Sequence, residues 1–278
     1  MNGVIIVNKP QGFTSRDVVN KLNHIFHTKK IGHTGTLDPI ATGVLVVTIG
    51  SYTKLVNHLT SLDKEYIAEI KLGIMTDTGD ITGNVINKSN NYSISKEDIL
   101  NVFNSFPKEY KQTVPKFSAV KINGKKLYEY ARENIDVKLP SRNVNVYSLE
   151  LLEFYNDVIK FKTKVSKGTY IRSLIEDICA MLNVYGTMNS LQRTKQGKFD
   201  IKDSILLEDI NEDTDLLNAF DVLDISNYIL DDNLYRLVSN GNKLKLKLED
   251  GYYNLSYKNN NIAIYKFEYN EGRLVMFY

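Results

Sequence analysis

Gly32-His33-Thr34-Gly35-Thr36-Leu37-Asp38-Pro39 is the stretch on which the reading of this chain turns. Its two glycines let backbone come close to a ligand. Pro39 biases Asp38 toward an extended conformation and fixes the chain after it. The loop can therefore present one carboxylate in a held geometry. It lacks the Gly-Lys-Ser/Thr ending of a P-loop. It also has too few glycines, and no clear helix behind it, for a dinucleotide fingerprint. By itself the octet reads more simply as an Asp-Pro turn between a helix and a strand, because both residues are common in turns.

The flanks give this loop a setting. Upstream, Val4–Val7 reads as a short strand, Ser15 as a helix N-cap, and Val18, Val19, Leu22, Ile25 and Phe26 as one helical face. Downstream, the apolar run Val44–Ile49 closed by Gly50 reads as a buried strand, and Lys64–Leu72 as another. Ser95 and Asp98 suit the start of a helix running through Phe106. A lysine-rich loop and a short helix, Leu127–Ala131, come next. Val144–Phe154 and Val158–Val165 flank Tyr155-Asn156-Asp157, a hairpin signal. Thr169 to Leu182 reads as a helix with Leu174, Ile175, Ile178 and Leu182 on one face.

Residues 201–232 carry ten acids and one lysine but keep leucine-rich pieces, so they read as ordered. From about residue 233 the pattern turns to strands, at Lys243–Leu248, Tyr252–Tyr257, Ile262–Phe267 and Leu274–Tyr278. The expected organisation is a mixed α/β body over 1–232 and a small β module over 233–278.

With 278 residues, 42% hydrophobic and 24% charged, the chain can bury a sizeable core, and global disorder is excluded. The apolar run Val4–Val7 is too short for a signal-peptide core or a membrane span. Cys179 is the single cysteine, so no intrachain disulfide forms; a cytoplasmic, reducing location is expected. Charge is uneven. Residues 1–200 hold 27 Lys and Arg against 19 Asp and Glu, whereas residues 201–278 hold 8 against 14. A basic body suits a polyanionic partner. Residues 108–126 concentrate six lysines against one acid, Glu109, with Tyr110 and Phe117 interleaved. Lysines neutralise phosphates and aromatics stack on bases, although a solvated lysine loop would show the same content. His24 and His27 lie three apart, with no Cys or Glu beside them to complete a zinc pattern, so no metal is expected.

Several collinear motifs then resemble one family. Asn8-Lys9-Pro10-Gln11-Gly12-Phe13-Thr14-Ser15, followed by Gly32 to Asp38-Pro39-Ile40-Ala41-Thr42-Gly43, looks like the start of the TruB family, the tRNA pseudouridine-55 synthases. Lys64-Glu65-Tyr66 with Leu72-Gly73, and Thr76-Asp77-Thr78-Gly79-Asp80-Ile81-Thr82-Gly83, continue the pattern. So do Val114 to Arg132, Ser166-Lys167-Gly168-Thr169-Tyr170-Ile171-Arg172-Ser173-Leu174, and Leu191-Gln192-Arg193 with Gly197-Lys198-Phe199. Val114 stands where the family often has a first proline and Phe117 where many members have tyrosine. Both changes keep an apolar character.

The resemblance implies an α/β body of the α+β type around a mixed, mostly antiparallel sheet. The active site would lie in a cleft crossing it, and the C-terminal module resembles a short PUA domain. It implies isomerisation of the T-loop uridine of tRNA, position 55, without a cofactor. The base is extruded, detached from C1′, rotated and rejoined through C5. Asp38 takes the place of the essential carboxylate and Arg172 of its arginine partner, which would keep the carboxylate ionised. Tyr66 takes the place of the residue stacking on the target base, Leu191 lines the pocket, and His33 fills the space vacated by flipped nucleotides. Lys116, Lys121, Lys125 and Lys126 belong to a mobile RNA-gripping loop. The partner is tRNA, through its T arm and loop, and a monomer without membrane association is expected. An RNA-folding chaperone using the same groove, or a synthase acting on another RNA, also fits. A small-molecule metabolic enzyme explains neither the lysine segment nor the β module.

Overall fold

A ten-stranded mixed sheet runs through the body of the protein, and the computed structural model describes residues 1–278. Eight strands lie in the order Ile205–Leu206, Gly3–Lys9, Thr42–Ile49, Gly186–Gln196, Lys64–Leu72, Val158–Val165, Ser141–Tyr155 and Glu109–Thr113. Ile31–His33 and Phe199–Asp200 pair off this path. The junctions of Gly3–Lys9 with Ile205–Leu206 and of Thr42–Ile49 with Gly186–Gln196 are parallel. The others are antiparallel, the mixed, mostly antiparallel sheet implied by the resemblance.

Burial follows from residue pattern. Lys64–Leu72 alternates, so Tyr66, Ala68, Ile70 and Leu72 share the buried face while Glu65 and Glu69 take the other. That face packs under two helices. Ile171–Met181 contributes Leu174, Ile175 and Ile178, and Lys96–Ser105 contributes Ile99 and Phe103, to one apolar core with Ile70, Phe161 and Met188. Thr42–Ile49 and Gly3–Lys9 are instead buried on both faces. Ile5, Val7, Leu45 and Val47 meet Val18 and Leu22 of the helix Ser15–Ile25. Val4, Ile6, Val44 and Val46 share a cluster with Ile264 and Met276 from the C-terminal sheet. A continuous apolar run such as Val44–Ile49 is what a strand covered on both sides requires.

The second sheet has five strands, in the order Ile225–Ile229, Gly251–Tyr257, Asn260–Glu268, Glu271–Phe277 and Leu244–Lys245. It has its own core of Val238, Leu244, Leu255, Ala263, Tyr265 and Phe267. No helix is long and apolar enough to cross a membrane.

Several local details differ from the expectations. The first helix is capped by Thr14, not Ser15. The Thr14 hydroxyl accepts from the Asp17 N–H, and the Asp17 carboxylate accepts from the Thr14 N–H in return. Ser15 turns inward, where its hydroxyl accepts from the Leu37 N–H at 2.9 Å. The helix expected from Thr169 begins at Ile171. The lysine-rich segment is not a plain loop. It holds the strand Glu109–Thr113 and a ribbon in which Lys121 and Ile122 pair with Lys126 and Lys125. The hairpin turn is as read: Asn156 and Asp157 adopt φ of 44° and 62°, as a two-residue turn of this hand requires.

Candidate active site

The loop Gly32–Pro39 is tied down almost residue by residue. Gln196, fully buried, donates through Nε2 to the Thr34 carbonyl and hydroxyl. Arg193, equally buried, donates to the carbonyls of Val44 at 2.6 Å and Gly35 at 3.2 Å. Ser15 holds Leu37. The Pro39 carbonyl accepts from the Gly12 N–H at 2.8 Å and from the Lys9 ammonium at 3.4 Å. Lys9 is fully buried and also donates to Pro10 and Phe13 carbonyls; burial lowers its pKa to about 8. Asp38 is thus presented between two fixed neighbours rather than on a loose turn.

One close backbone approach makes this clamp possible. Gly43 pairs with Arg193 at φ +96°, and a Cβ there would sit 2.3 Å from the Arg193 carbonyl oxygen. Only glycine fits, so the loop's exit strand can lie against Gly186–Gln196.

Arg172, in the first turn of the helix Ile171–Met181, reaches Asp38 from the opposite side. Its Nε lies 2.9 Å from Oδ2 and its Nη2 3.1 Å from Oδ1. Nη1 donates to the carbonyl of Thr78 and Nη2 also to that of Phe117, each at 2.9 Å. The guanidinium is almost wholly buried, while the Asp38 side chain keeps 30% of its surface open. Burial pushes the Asp38 carboxyl above its ordinary pKa; Arg172 opposes this and the nearby Asp80 carboxylate adds to it. Arg172 thus favours the charged form of Asp38, as expected, against the larger opposing influence of desolvation.

Asp38, Arg172, Tyr66 and Leu191 all line one cleft of about 380 Å³. Tyr66 pairs across the sheet with Arg193, and Leu191 with Ala68, so strand register sets both side chains on the cleft face. The Tyr66 hydroxyl has no hydrogen-bond partner in the protein. Burial lowers the pKa of His33, and the Arg16 and Arg193 charges add to this; its Nδ1 has no partner. It sits on the strand Ile31–His33 and does not line the cleft.

The four lysines singled out from the sequence do not line the cleft either. Lys116 pairs with Asp136 at 3.3 Å and Lys125 with Glu133. Lys126 donates to the Tyr128 hydroxyl and lies over its ring. Lys121 makes no ion pair. The segment instead sends Phe117, Ser118 and Ala119 into the cleft wall, joined by Tyr128 from the helix Leu127–Arg132 that follows.

The sequence reading gave no role to Asp80, Arg193, Lys9 or Tyr170. All stood within the quoted motifs, but a polar residue in a motif carries no mark of burial. Asp80 is buried and accepts from the Thr82 N–H and hydroxyl and the Thr78 hydroxyl.

Residues 23–171 match the family described as "TruB family pseudouridylate synthase (N terminal domain)". A Clostridium tetani protein named tRNA pseudouridine synthase B is 44% identical over 256 residues, covering 89% of this chain and 87% of its own. A Francisella tularensis subsp. tularensis protein of the same name is 42% identical over 239 residues, covering 86% and 79%. Among solved structures, a Cbf5-Nop10-Gar1 complex contains a chain with TM-score 0.68 and 26% identity, covering 95% of this chain and 78% of that one. An H/ACA RNP bound to a substrate RNA containing 2'-deoxyuridine contains another with TM-score 0.68 and 24% identity, covering 99% and 83%, a likeness of fold.

Proposed function

The chain belongs to the TruB family of pseudouridylate synthases, and from that premise we propose that it isomerises the T-loop uridine of tRNA, position 55, to pseudouridine. The observation that carries the reading is the Asp38–Arg172 pair, side-on and within 3.1 Å at both contacts, at the floor of a cleft sized for one extruded nucleoside.

A uridine stacked in a folded loop is out of reach, so it must first be extruded, at a cost of a few kcal/mol. Its base then enters the cleft, where the Tyr66 ring supplies a flat platform and Leu191 an apolar wall. Ionised Asp38 assists departure of the base from C1′ or attacks the sugar or base itself. Arg172 holds the carboxylate in one orientation through two parallel hydrogen bonds. After rotation the base rejoins C1′ through C5, and the Tyr66 hydroxyl, free of protein partners, is placed to move the C5 proton. His33, on the strand leading into the loop, would occupy space left by extruded nucleotides. Lys121 would meet phosphates directly, and Lys116, Lys125 and Lys126 once RNA competes for their present partners. The C-terminal module, whose sheet takes in Ile225–Ile229 ahead of the boundary expected at residue 233, would extend the RNA-binding surface.

The test uses unmodified tRNA tritiated at C5 of uridine. Wild-type protein releases tritium from the T-loop uridine alone, and Asp38→Asn abolishes release. Release from another position keeps the chemistry and replaces the substrate. Tight binding without release points to an RNA-folding role instead.

A further inference from the structure

Three arginines stand around the cleft, and two of them make hydrogen bonds inside the protein. Arg172 closes on Asp38, Thr78 and Phe117, and Arg193 on Val44 and Gly35. Arg142 differs: its guanidinium makes no hydrogen bond and no ion pair with any protein group, yet its side chain is held in place. The guanidinium carbon lies 5.3 Å from the centre of the Tyr170 ring. Its Nη1 lies 3.0 Å from where a Cβ on Gly168 would be. Gly168 has φ +80°, so both the backbone conformation and the open space require glycine there.

The platform under Arg142 is rigid. Arg142 pairs across the sheet with Gln112. The Gln112 side chain accepts from the Tyr170 N–H at 2.8 Å and donates to the Tyr170 carbonyl at 3.1 Å. Gly168 and Tyr170 themselves line the cleft that holds Asp38. A half-buried arginine with no carboxylate therefore sits at the mouth of that cleft, stacked and with its fork of N–H groups free. Lys167, exposed on the same turn, adds positive charge beside it. Such a fork matches two oxygens of a phosphodiester, and stacking removes much of the entropy cost of fixing a long side chain.

We propose that Arg142 is a phosphate-binding residue, taking the RNA phosphodiester adjacent to the nucleotide extruded into the Asp38 cleft. This rests on the reading of the chain as a tRNA pseudouridine synthase. An extruded nucleotide must be followed out of the cleft by its own backbone, and Arg142 is the preorganised, unspent cation where that backbone leaves past Gly168 and Tyr170.

The test measures binding of unmodified tRNA to the full chain carrying Asp38→Asn, so that no turnover intervenes, across a series of salt concentrations. Adding Arg142→Ala is expected to raise Kd about tenfold, the scale of one charged hydrogen-bonding contact. It should also flatten the log–log salt slope by about 0.7 to 0.9, the loss of one phosphate contact. Arg142→Lys keeps the charge and should restore the slope while leaving Kd above the parent. An unchanged Kd and slope in Arg142→Ala overturns the proposal. So does weaker binding with an unchanged slope and a lower melting temperature, which would make the stack structural. Tritium release by the chain carrying neither substitution is measured alongside. Release together with unaltered binding rejects the phosphate assignment alone; no release rejects the reading beneath it.

Discussion

Arg172 meets Asp38 side-on, Nε to Oδ2 and Nη2 to Oδ1, while the same guanidinium closes on the backbone carbonyls of Thr78 and Phe117. One side chain thus orients the carboxylate and joins three segments distant in sequence. Removing it does two things at once. Arg172→Ala leaves a largely buried carboxylate and two carbonyls without their donor, and should cost about 3 kcal/mol of stability besides turnover. Arg172→Lys keeps a charge without the fork, and is expected to lower single-turnover pseudouridine formation by about a hundredfold or more. Chemical denaturation beside single-turnover kinetics separates the two effects; a Lys variant with near-normal turnover would remove the need for a bidentate grip.

Tyr66 offers a cleaner division of labour. Its ring is buried on the cleft face while its hydroxyl bonds to nothing in the protein. Tyr66→Phe should therefore leave the melting temperature and tRNA Kd within error of the parent. It should lower the single-turnover rate about a hundredfold, the usual scale for losing a proton-transfer group. An unchanged rate would dismiss the hydroxyl and leave the ring as a platform only.

The pH profile should carry the mark of a desolvated carboxylate. Burial raises the Asp38 pKa, and Asp80 raises it further. The proposed mechanism uses the ionised form, so the rate should fall as pH drops through a value above the ordinary 3.8. Asp80→Asn keeps a side-chain acceptor for Thr82 and Thr78 but removes the like charge, and should move the acid limb of log kcat/KM to lower pH. A limb that stays in place, or moves up, would show that Asp80 does not act on Asp38 through its field.

Ile264 belongs to the apolar cluster shared by the two sheets and is fully buried. Ile264→Ala should cost about 2 to 5 kcal/mol. The loss should appear in one cooperative transition in which body and module unfold together. Two separate transitions, with only one shifted, would show that the shared cluster does not couple them.

How much of this was readable beforehand depended on what each residue was buried for. Val44–Ile49 declared itself because both its faces are apolar, and the Ser95–Asp98 capping box and the Asn156-Asp157 turn because local chemistry decides them. Gly186–Gln196 stayed hidden although it lies near the middle of the sheet. Its buried positions include Thr187, Arg193 and Gln196, held by hydrogen bonds to other segments, and periodicity of hydrophobicity cannot see them. Ser15 lost the cap to Thr14 for a similar reason, since its hydroxyl serves Leu37 across 22 residues. At the site, family motifs brought Asp38, Tyr66, Arg172 and Leu191 into one list, and the structure brings them into one cleft. Lys9 and Arg193 act by clamping backbone carbonyls, a duty that leaves no local signature.

The cluster that joins Val4 and Ile6 to Ile264 and Met276 also bears on how the molecule comes into being. Val4 and Ile6 leave the ribosome some 260 residues before Ile264 and Met276, the last members of their cluster. Until then the strand Gly3–Lys9 is covered by the helix Ser15–Ile25 on one face and on the other by Tyr52, Leu55, Leu59 and later Phe199, Ala219 and Val222, without the cluster's last two members. The nascent body must carry this apolar cluster incomplete through most of its own synthesis. The step that finally completes the cluster behind Gly3–Lys9 and Thr42–Ile49 is the arrival of the C-terminal strands, which couples their synthesis to consolidation of the two strands that flank the Asp38 loop.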